Sequence, residues 1–239
     1  MVSVAGKRSA EMAQREVTPS NFLAQLDPLD LRELRAITRE RLLSKGEMLF
    51  RAGDPGEHVY LLQSGRIKIH QLSGAGREVI LWFCLPGEIF GLAEVAQGGG
   101  REVCAEACEA SQVLVLTQDQ FRGFISSHPQ AALLSIQAMA SRLRVLGHVL
   151  VNLVSDDVNT RIAKLLLRLS ARYGQRAGQY VHLSIRLTHQ EIADMVGTTR
   201  QTVTSVLADF RRRGVLRMDN RRILIESEDG LAGMIRESS

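Results

Sequence analysis

Side chains that can hydrogen-bond to nucleobases are concentrated in one segment near the C-terminus. Arg200 can donate two hydrogen bonds to the O6 and N7 atoms of a guanine, and Gln201 can pair with the N6 and N7 atoms of an adenine. Thr204 and Ser205 follow these two residues by one helical turn, so a helix would place all four on one side. The four residues are therefore candidates for reading base edges.

Residues 188–207 carry the pattern of two short helices separated by a tight turn. Gly197 tolerates the left-handed backbone that a sharp turn needs, and Ala193 is small where two helices cross closely. An apolar face recurs on each helix: Ile192, Ala193 and Val196 on the first, Val203, Val206 and Leu207 on the second. The pattern predicts a helix-turn-helix whose second helix enters the major groove of DNA. The alternative is an ordinary helical hairpin with a solvated arginine face.

Other residues of this region are better suited to phosphates, which backbone amides at a helix N-terminus also attract. They are Thr188, Thr198, Thr199, Thr202, Arg221 and Arg222. Residues 186–225 contain eight arginines, no lysine and four acidic residues, a net charge of +4. Because neutralised phosphates release counterions, such a basic segment favours double-stranded DNA as a partner.

The whole chain has the composition of an ordinary globular protein. Its 239 residues, 45% hydrophobic and 23% charged, suffice for two domains and exclude a wholly disordered chain, collagen and a disulfide scaffold. The longest apolar run, residues 79–85, is far shorter than the ~18 residues of a membrane-spanning helix, and the first residues lack the apolar core of a secretory signal. We therefore expect a cytoplasmic protein with no membrane partner.

Hydrophobic periodicity changes along the chain and predicts an α+β protein in which strands and helices occupy different segments. Asp27 followed by Pro28 predicts the capped start of a short helix. Short apolar runs between residues 42 and 117 are separated by frequent glycines, which predicts a jelly-roll-like β-roll. The expected domains are a flexible leader (1–21), a β-roll effector domain (22–126), a dimerisation helix (127–155) and a winged helix-turn-helix domain (156–239).

A heptad pattern follows the β-roll. Seven apolar residues are separated alternately by four and three positions, which puts them on one stripe of a helix. They are Ala132, Ile136, Met139, Leu143, Leu146, Leu150 and Leu153. A narrow stripe sustained over three heptads favours pairing with the same helix of a second chain, so we expect a homodimer with the last six residues at its interface. The alternative is that this helix only packs on the β-roll.

Several motifs occur in an order known from one protein family. Lys-Gly-Glu at 45–47 and Pro-Gly-Glu-Ile-Phe-Gly at 86–91 precede the long helix, and Arg-Gln-Thr-Val at 200–203 follows it. Over residues 22–226 the chain resembles the bacterial CRP/FNR family of transcription regulators. The resemblance implies a homodimer that binds a pseudo-palindromic operator with a TGT-type half-site and recruits RNA polymerase. It also implies that Arg200 reads the guanine of that half-site. Gln201 and Ser205 stand where cyclic-AMP-binding members have a glutamate and an arginine, which predicts a weaker base preference at the inner positions of the half-site.

The effector pocket departs from those cyclic-AMP-binding members. They carry a glutamate after the glycine that matches Gly91, and an Arg-Ser pair for the phosphate, where this chain has Leu92 and the pair Arg101-Glu102. A leucine cannot bond the ribose hydroxyl, and Glu102 would repel the phosphate. We therefore expect an effector other than cyclic AMP, and Arg101 is expected to serve in a scaffold ion pair.

Cofactor chemistry stays open. FNR-type oxygen sensors hold an iron-sulfur cluster partly through N-terminal cysteines, and no cysteine precedes Cys84. Cys104 and Cys108 would stand ~13 Å apart on one strand, too far for one metal ion. We expect three reduced thiols and assign no metal ligands, with redox, metal or haem sensing, or no effector at all, as the alternatives.

Two other functional classes fit the predicted elements less well. A cupin-type enzyme would need a closely spaced histidine pair for its metal, but His58 and His70 stand twelve positions apart. The sequence also lacks a nucleophile elbow and a phosphate-cradling glycine loop, so we expect no enzyme. A sensor whose helical domain binds protein would leave Arg200 and Gln201 without a purpose, and salt-insensitive binding would support it.

Overall fold

A computed structural model describes residues 21–178, 180–219 and 222–237. Most of the predicted leader, residues 1–20, and the predicted phosphate contact Arg221 lie outside the described residues. The chain divides into two compact units, and the dividing point lies between Leu143 and Arg144. Both residues belong to the same long helix, so that helix contributes to both units.

The first unit is built on eight strands. They are β1 (Arg39–Leu43), β2 (Met48–Phe50), β3 (His58–Ser64), β4 (Ile67–Leu72), β5 (Glu78–Cys84), β6 (Ile89–Phe90), β7 (Cys104–Ala107) and β8 (Ser111–Thr117). They form two four-stranded antiparallel sheets, with the orders β1-β8-β3-β6 and β2-β7-β4-β5. This arrangement confirms the predicted β-roll.

The core of this unit lies on the buried faces of the strands. Leu61, Ile89 and Leu116 pack in one cluster, and Ile67 and Val113 belong to a second. Burial of these apolar side chains is the main favourable contribution to folding. The turn between β3 and β4 depends on Gly65, which has a φ of +87°. A Cβ at this position would lie 2.2 Å from the Ser111 hydroxyl oxygen.

Four helices accompany the β-roll: α1 (Phe22–Gln25), α2 (Pro28–Ala36), α3 (Gln118–Ser127) and α4 (Pro129–Ser155). The Asp27 carboxylate accepts hydrogen bonds from the amides of Leu29 and Asp30, which confirms the predicted start of α2. The longest helix, α4, buries Leu134 and Ala138 in the core. Within the described residues, no helix combines the length and apolarity that crossing a membrane requires.

The second unit contains a four-stranded sheet and the remaining helices. The helices are α5 (Val158–Tyr173), α6 (His189–Val196), α7 (Arg200–Arg212) and α8 (Glu228–Glu237), and the strands are β9 (Gly174–Ala177), β10 (Tyr180–Leu183), β11 (Leu216–Asp219) and β12 (Arg222–Ile225). The sheet order is β11-β12-β10-β9, and β11 with β12 forms the predicted wing hairpin. Helix α8 was not expected from the sequence. It is fixed to α5 by the Glu228 carboxylate, which accepts a hydrogen bond from the Ser170 hydroxyl.

Candidate nucleic-acid interface and effector residues

The turn between α6 and α7 has the geometry that the sequence predicts. Thr188 begins α6 with a capping box: its hydroxyl accepts from the Glu191 amide at 3.1 Å, and its own amide donates to the Glu191 carboxylate at 2.7 Å. Gly197 ends the helix in the left-handed region, with φ +68° and ψ 48°. A Cβ at this position would lie 3.0 Å from Leu153, so the turn is both sharp and closely packed.

Helix α7 separates an apolar face from a polar one. Thr199 caps its start by accepting a hydrogen bond from the Thr202 amide at 3.1 Å. The buried face holds Val203, Val206 and Leu207, as expected. The four predicted base-reading residues are all exposed: Arg200, Gln201, Thr204 and Ser205. The structure therefore brings them together on one accessible face of the helix.

The predicted phosphate contacts differ in accessibility. Thr188, Thr199 and Arg222 are exposed, and Thr202 is half-buried with its hydroxyl 2.8 Å from that of Thr199. Thr198 is only 8% exposed, so its side chain is less available to a phosphate than those of the other threonines. The physical reason is its position directly after the turn glycine, where its amide donates to the Ala193 carbonyl and the two helices approach closely.

A histidine that the sequence analysis did not select connects the two helices of the motif. His189 is the first residue of α6, and its Nδ1 lies 2.8 Å from the Thr204 hydroxyl oxygen on α7. Burial lowers the pKa of His189, and the positive charge of Arg200 lowers it further. The two residues are fifteen positions apart, so no local spacing rule indicates that they meet.

Arg101, predicted to lie in the effector pocket, is only 3% exposed. Its guanidinium forms an ion pair with Glu94 and donates hydrogen bonds to the carbonyls of Gly91 and His58. It also lies over the Phe50 ring at 4.4 Å. Groups of the protein itself therefore bond to both terminal nitrogens of the guanidinium, whereas its buried Nε has no hydrogen-bond partner among the described residues.

The other predicted effector residues have separate environments. Leu92 is 6% exposed and belongs to the apolar core of the β-roll. Gly91 has a φ of +76°, and a Cβ there would lie 3.2 Å from an Arg101 guanidinium nitrogen. Glu102 is exposed, and its carbonyl accepts a hydrogen bond from the Gln71 side chain. The acid paired with Arg101 is thus Glu94, which the sequence analysis did not select.

The heptad stripe of α4 is largely exposed. Its members Ile136, Met139, Leu143, Leu150 and Leu153 are 62%, 48%, 73%, 64% and 43% exposed, and Leu146 is half-buried. The side chains of α4 that pack on the β-roll core are different ones, Ala131, Leu134 and Ala138. The alternative that the stripe itself packs on the β-roll therefore does not account for these exposed side chains.

One group of described side chains has the spacing of a metal site. The ligand atoms of His70, Glu78 and Glu106 all lie within 4.8 Å of one another. The Lys68 ammonium is bound between the two carboxylates, 2.8 Å from Glu78 and 3.2 Å from Glu106. Burial lowers the pKa of His70, which favours the neutral imidazole. A metal ion would have to displace the lysine, so the residues present fit an ion-pair cluster better than a metal site.

Comparisons with known proteins agree with the two halves of the chain. A family model described as a cyclic nucleotide-binding domain matches residues 40–128, and one described as a Crp-like helix-turn-helix domain matches residues 160–234. The chain is 33% identical over 223 residues to a CRP-like cAMP-activated global transcriptional regulator of Mycobacterium tuberculosis, covering 92% of this chain and 94% of the relative. It is 27% identical to the fumarate and nitrate reduction regulatory protein of Salmonella typhimurium, covering 88% and 82% of the two chains.

A solved structure is similar over most of the chain as well. A mutant of CooA from Carboxydothermus hydrogenoformans has a TM-score of 0.74 and 26% identity, covering 84% of this chain and 89% of that one. A β-roll followed by a helix-turn-helix with an exposed polar face defines a DNA-binding transcription regulator and not an enzyme. The chain belongs to the CRP/FNR family.

Proposed function

We propose that this regulator acts as a homodimer that places one copy of α7 in each of two successive major grooves of a pseudo-palindromic operator. The observation that carries the proposal is the exposed face of Arg200, Gln201, Thr204 and Ser205 on a helix whose opposite face is buried. Arg200 reads a guanine through O6 and N7, which agrees with a TGT-type half-site. The two half-sites lie ~34 Å apart, one helical turn of DNA.

Phosphate contacts fix the register of this complex. Thr188 and Thr199 begin the two helices, where backbone amides also attract anions, and their side chains are exposed. Thr202, Arg221 and Arg222 add to the same sequence-independent attraction. Thr198 is left out of this set because its side chain is buried.

The exposed stripe of α4 supports the dimer. Apolar side chains on neighbouring turns of one helix lie close together, and large exposed apolar patches on soluble proteins mark interaction surfaces. Heptad spacing lets the same residues of a second chain pack against them as knobs into holes. The interface comprises Ile136, Met139, Leu143, Leu146, Leu150 and Leu153.

The β-roll has a role other than binding cyclic AMP in this proposal. The Mycobacterium tuberculosis relative is named as cAMP-activated. In this chain Glu94 and two carbonyls already engage Arg101, and Leu92 lies in the core. We expect the protein to act in the cytoplasm, where bacterial DNA lies, and to recruit RNA polymerase as a transcription regulator of this family.

Selection from a pool of random-sequence duplexes with the purified protein tests this function. We expect enrichment of inverted repeats that contain a guanine in each half-site. Affinity for the selected duplex should fall steeply with salt, since log K falls by about 0.9 per neutralised phosphate for each unit of log salt concentration. A pool that stays random, or binding that salt does not weaken, would contradict the proposal.

A further inference from the structure

We propose that His189 is a positioning residue that orients Thr204 so that its methyl group selects a thymine in the half-site. The inference rests on the proposed DNA-binding function. It starts from the hydrogen bond between the first helix of the motif and the helix that reads the bases, in which His189 Nδ1 lies 2.8 Å from the Thr204 hydroxyl oxygen.

The direction of this hydrogen bond follows from the second contact of Thr204. The Thr204 hydroxyl donates its single hydrogen to the carbonyl of Arg200 at 2.9 Å. The hydroxyl oxygen must therefore accept from His189, which fixes the imidazole with its hydrogen on Nδ1. The lowered pKa of His189 agrees with a neutral ring that has this one N–H to donate.

The two hydrogen bonds determine what Thr204 can offer to DNA. Its hydroxyl donates to one protein group and accepts from another, so the rotation of the side chain about χ1 is fixed. Thr204 itself is exposed. The γ-methyl group has no hydrogen-bonding role, and the apolar group that DNA presents in the major groove is the C5-methyl of thymine. The single hydroxyl hydrogen and one of the two lone pairs are thus used within the protein, so the side chain offers a base its methyl group and no hydrogen-bond donor.

His189 would act in this arrangement without contacting the base itself. Without its N–H, the threonine retains only the bond to Arg200, and its oxygen regains a lone pair that can accept from a base. We therefore expect a change in sequence preference at one position of the half-site, and not a uniform loss of affinity.

Replacing thymine by uracil in the selected duplex removes only the methyl group, so it measures this contact directly. At one thymine position of the half-site, replacement by uracil should lower the affinity of the unmodified protein about fourfold. This is the value of one buried methyl-sized contact. The Thr204→Ser variant keeps the hydroxyl and loses the methyl, and it should show no uracil penalty at that position. His189→Leu should reduce the penalty to less than about twofold.

A conservative variant separates the hydrogen bond from packing. In His189→Asn, the amide nitrogen occupies the place of Nδ1 and can donate to Thr204, so the uracil penalty should return. The guanine preference of Arg200 should stay unchanged in all three variants, and thermal unfolding checks that each is folded. If His189→Leu does not fold, His189→Ala also removes the N–H and carries the same expectation.

Several results would overturn the inference. They are a full uracil penalty in His189→Leu or in Thr204→Ser, an equal loss at all positions in His189→Leu, the absence of a penalty in His189→Asn, or the absence of any uracil penalty in the unmodified protein. Failure of the proposed function would look different, because the unmodified protein would then select no duplex sequence at all.

Discussion

The guanidinium of Arg101 and the carboxylate of Glu94 form an ion pair inside the β-roll, with side chains that are 1% and 8% exposed. The sequence places them seven residues apart, on either side of a glycine-rich stretch. Gly91 contributes a carbonyl to the same arginine, and Phe50 provides an aromatic face. The arginine that the family resemblance assigns to an effector phosphate thus pairs with an internal carboxylate here.

Removing the carboxylate should destabilise the fold. Glu94→Ala leaves a buried cation without its charged partner, and we expect the free energy of unfolding to fall by about 3 kcal/mol. Urea unfolding measures this. The exposed pair of Arg41 and Glu47, 44% and 38% exposed, provides the control. Glu47→Ala should cost much less than Glu94→Ala because solvent screens the exposed pair, and an equal cost for both variants would contradict the account.

Cyclic AMP should neither stabilise the protein nor strengthen its binding to DNA. A ligand that binds the folded state at 100 times its Kd adds about 2.7 kcal/mol of stability, which a thermal shift detects easily. We expect no shift and no change in operator affinity on addition of cyclic AMP. A cyclic-AMP-dependent rise in either quantity would show that Arg101 can exchange Glu94 for a phosphate.

Arg200→Ala should remove discrimination at one base pair. We expect a loss of about 1 to 3 kcal/mol on the selected duplex and little loss on a duplex whose half-site guanine is already replaced. Fluorescence anisotropy with the two duplexes measures the difference. Arg236→Ala, an exposed arginine on α8, is the matched control. Equal losses for Arg200→Ala on both duplexes would mean that Arg200 contacts only the DNA backbone.

His128 should contribute to stability in a pH-dependent way. Its Nδ1 bonds to the Phe124 carbonyl, and its Nε2 lies 3.1 Å from Glu33 and 3.5 Å from Asp30. The Phe124 carbonyl and these carboxylates raise the pKa of His128 above its ordinary value. A raised folded-state pKa stabilises the protein fully below the unfolded pKa of about 6.5, and this contribution disappears as the pH rises through the folded value.

The comparison of unmodified protein with His128→Gln checks this sign. The difference in unfolding free energy should be larger at pH 5.5 than at pH 8. Glu33→Gln combined with Asp30→Asn should weaken the dependence without abolishing it, because both carboxylate charges are removed but the hydrogen bond to the Phe124 carbonyl remains. A difference that grows with pH would contradict the assignment.

The elements defined by local signals were predictable from the sequence. Asp27 with Pro28 marked a helix start, and Gly197 between two apolar faces marked the turn of the helix-turn-helix. Alternating runs with frequent glycines marked the β-roll. Each of these signals acts through the conformation of a few neighbouring residues, so it is visible without knowledge of the fold.

The features that depend on distant contacts were not predictable in this way. His189 meets Thr204 only because the turn folds α6 back on α7, and Glu94 meets Arg101 only across a glycine-rich stretch. The burial of Thr198 likewise depends on the packing of the helix-turn-helix and not on a local sequence pattern. Helix α8 was missed because it is short and contains two glycines, Gly230 and Gly233, which weaken a helical pattern.

The central claim is that two chains present two copies of α7 to one operator, and sedimentation equilibrium with the selected duplex tests it most directly. We predict two chains per duplex at saturation. The variant Leu143→Asp with Leu150→Asp, which places charges on the exposed stripe of α4, should bind as a single chain with weaker affinity. Saturation of the selected inverted repeat by a single unmodified chain would contradict the account.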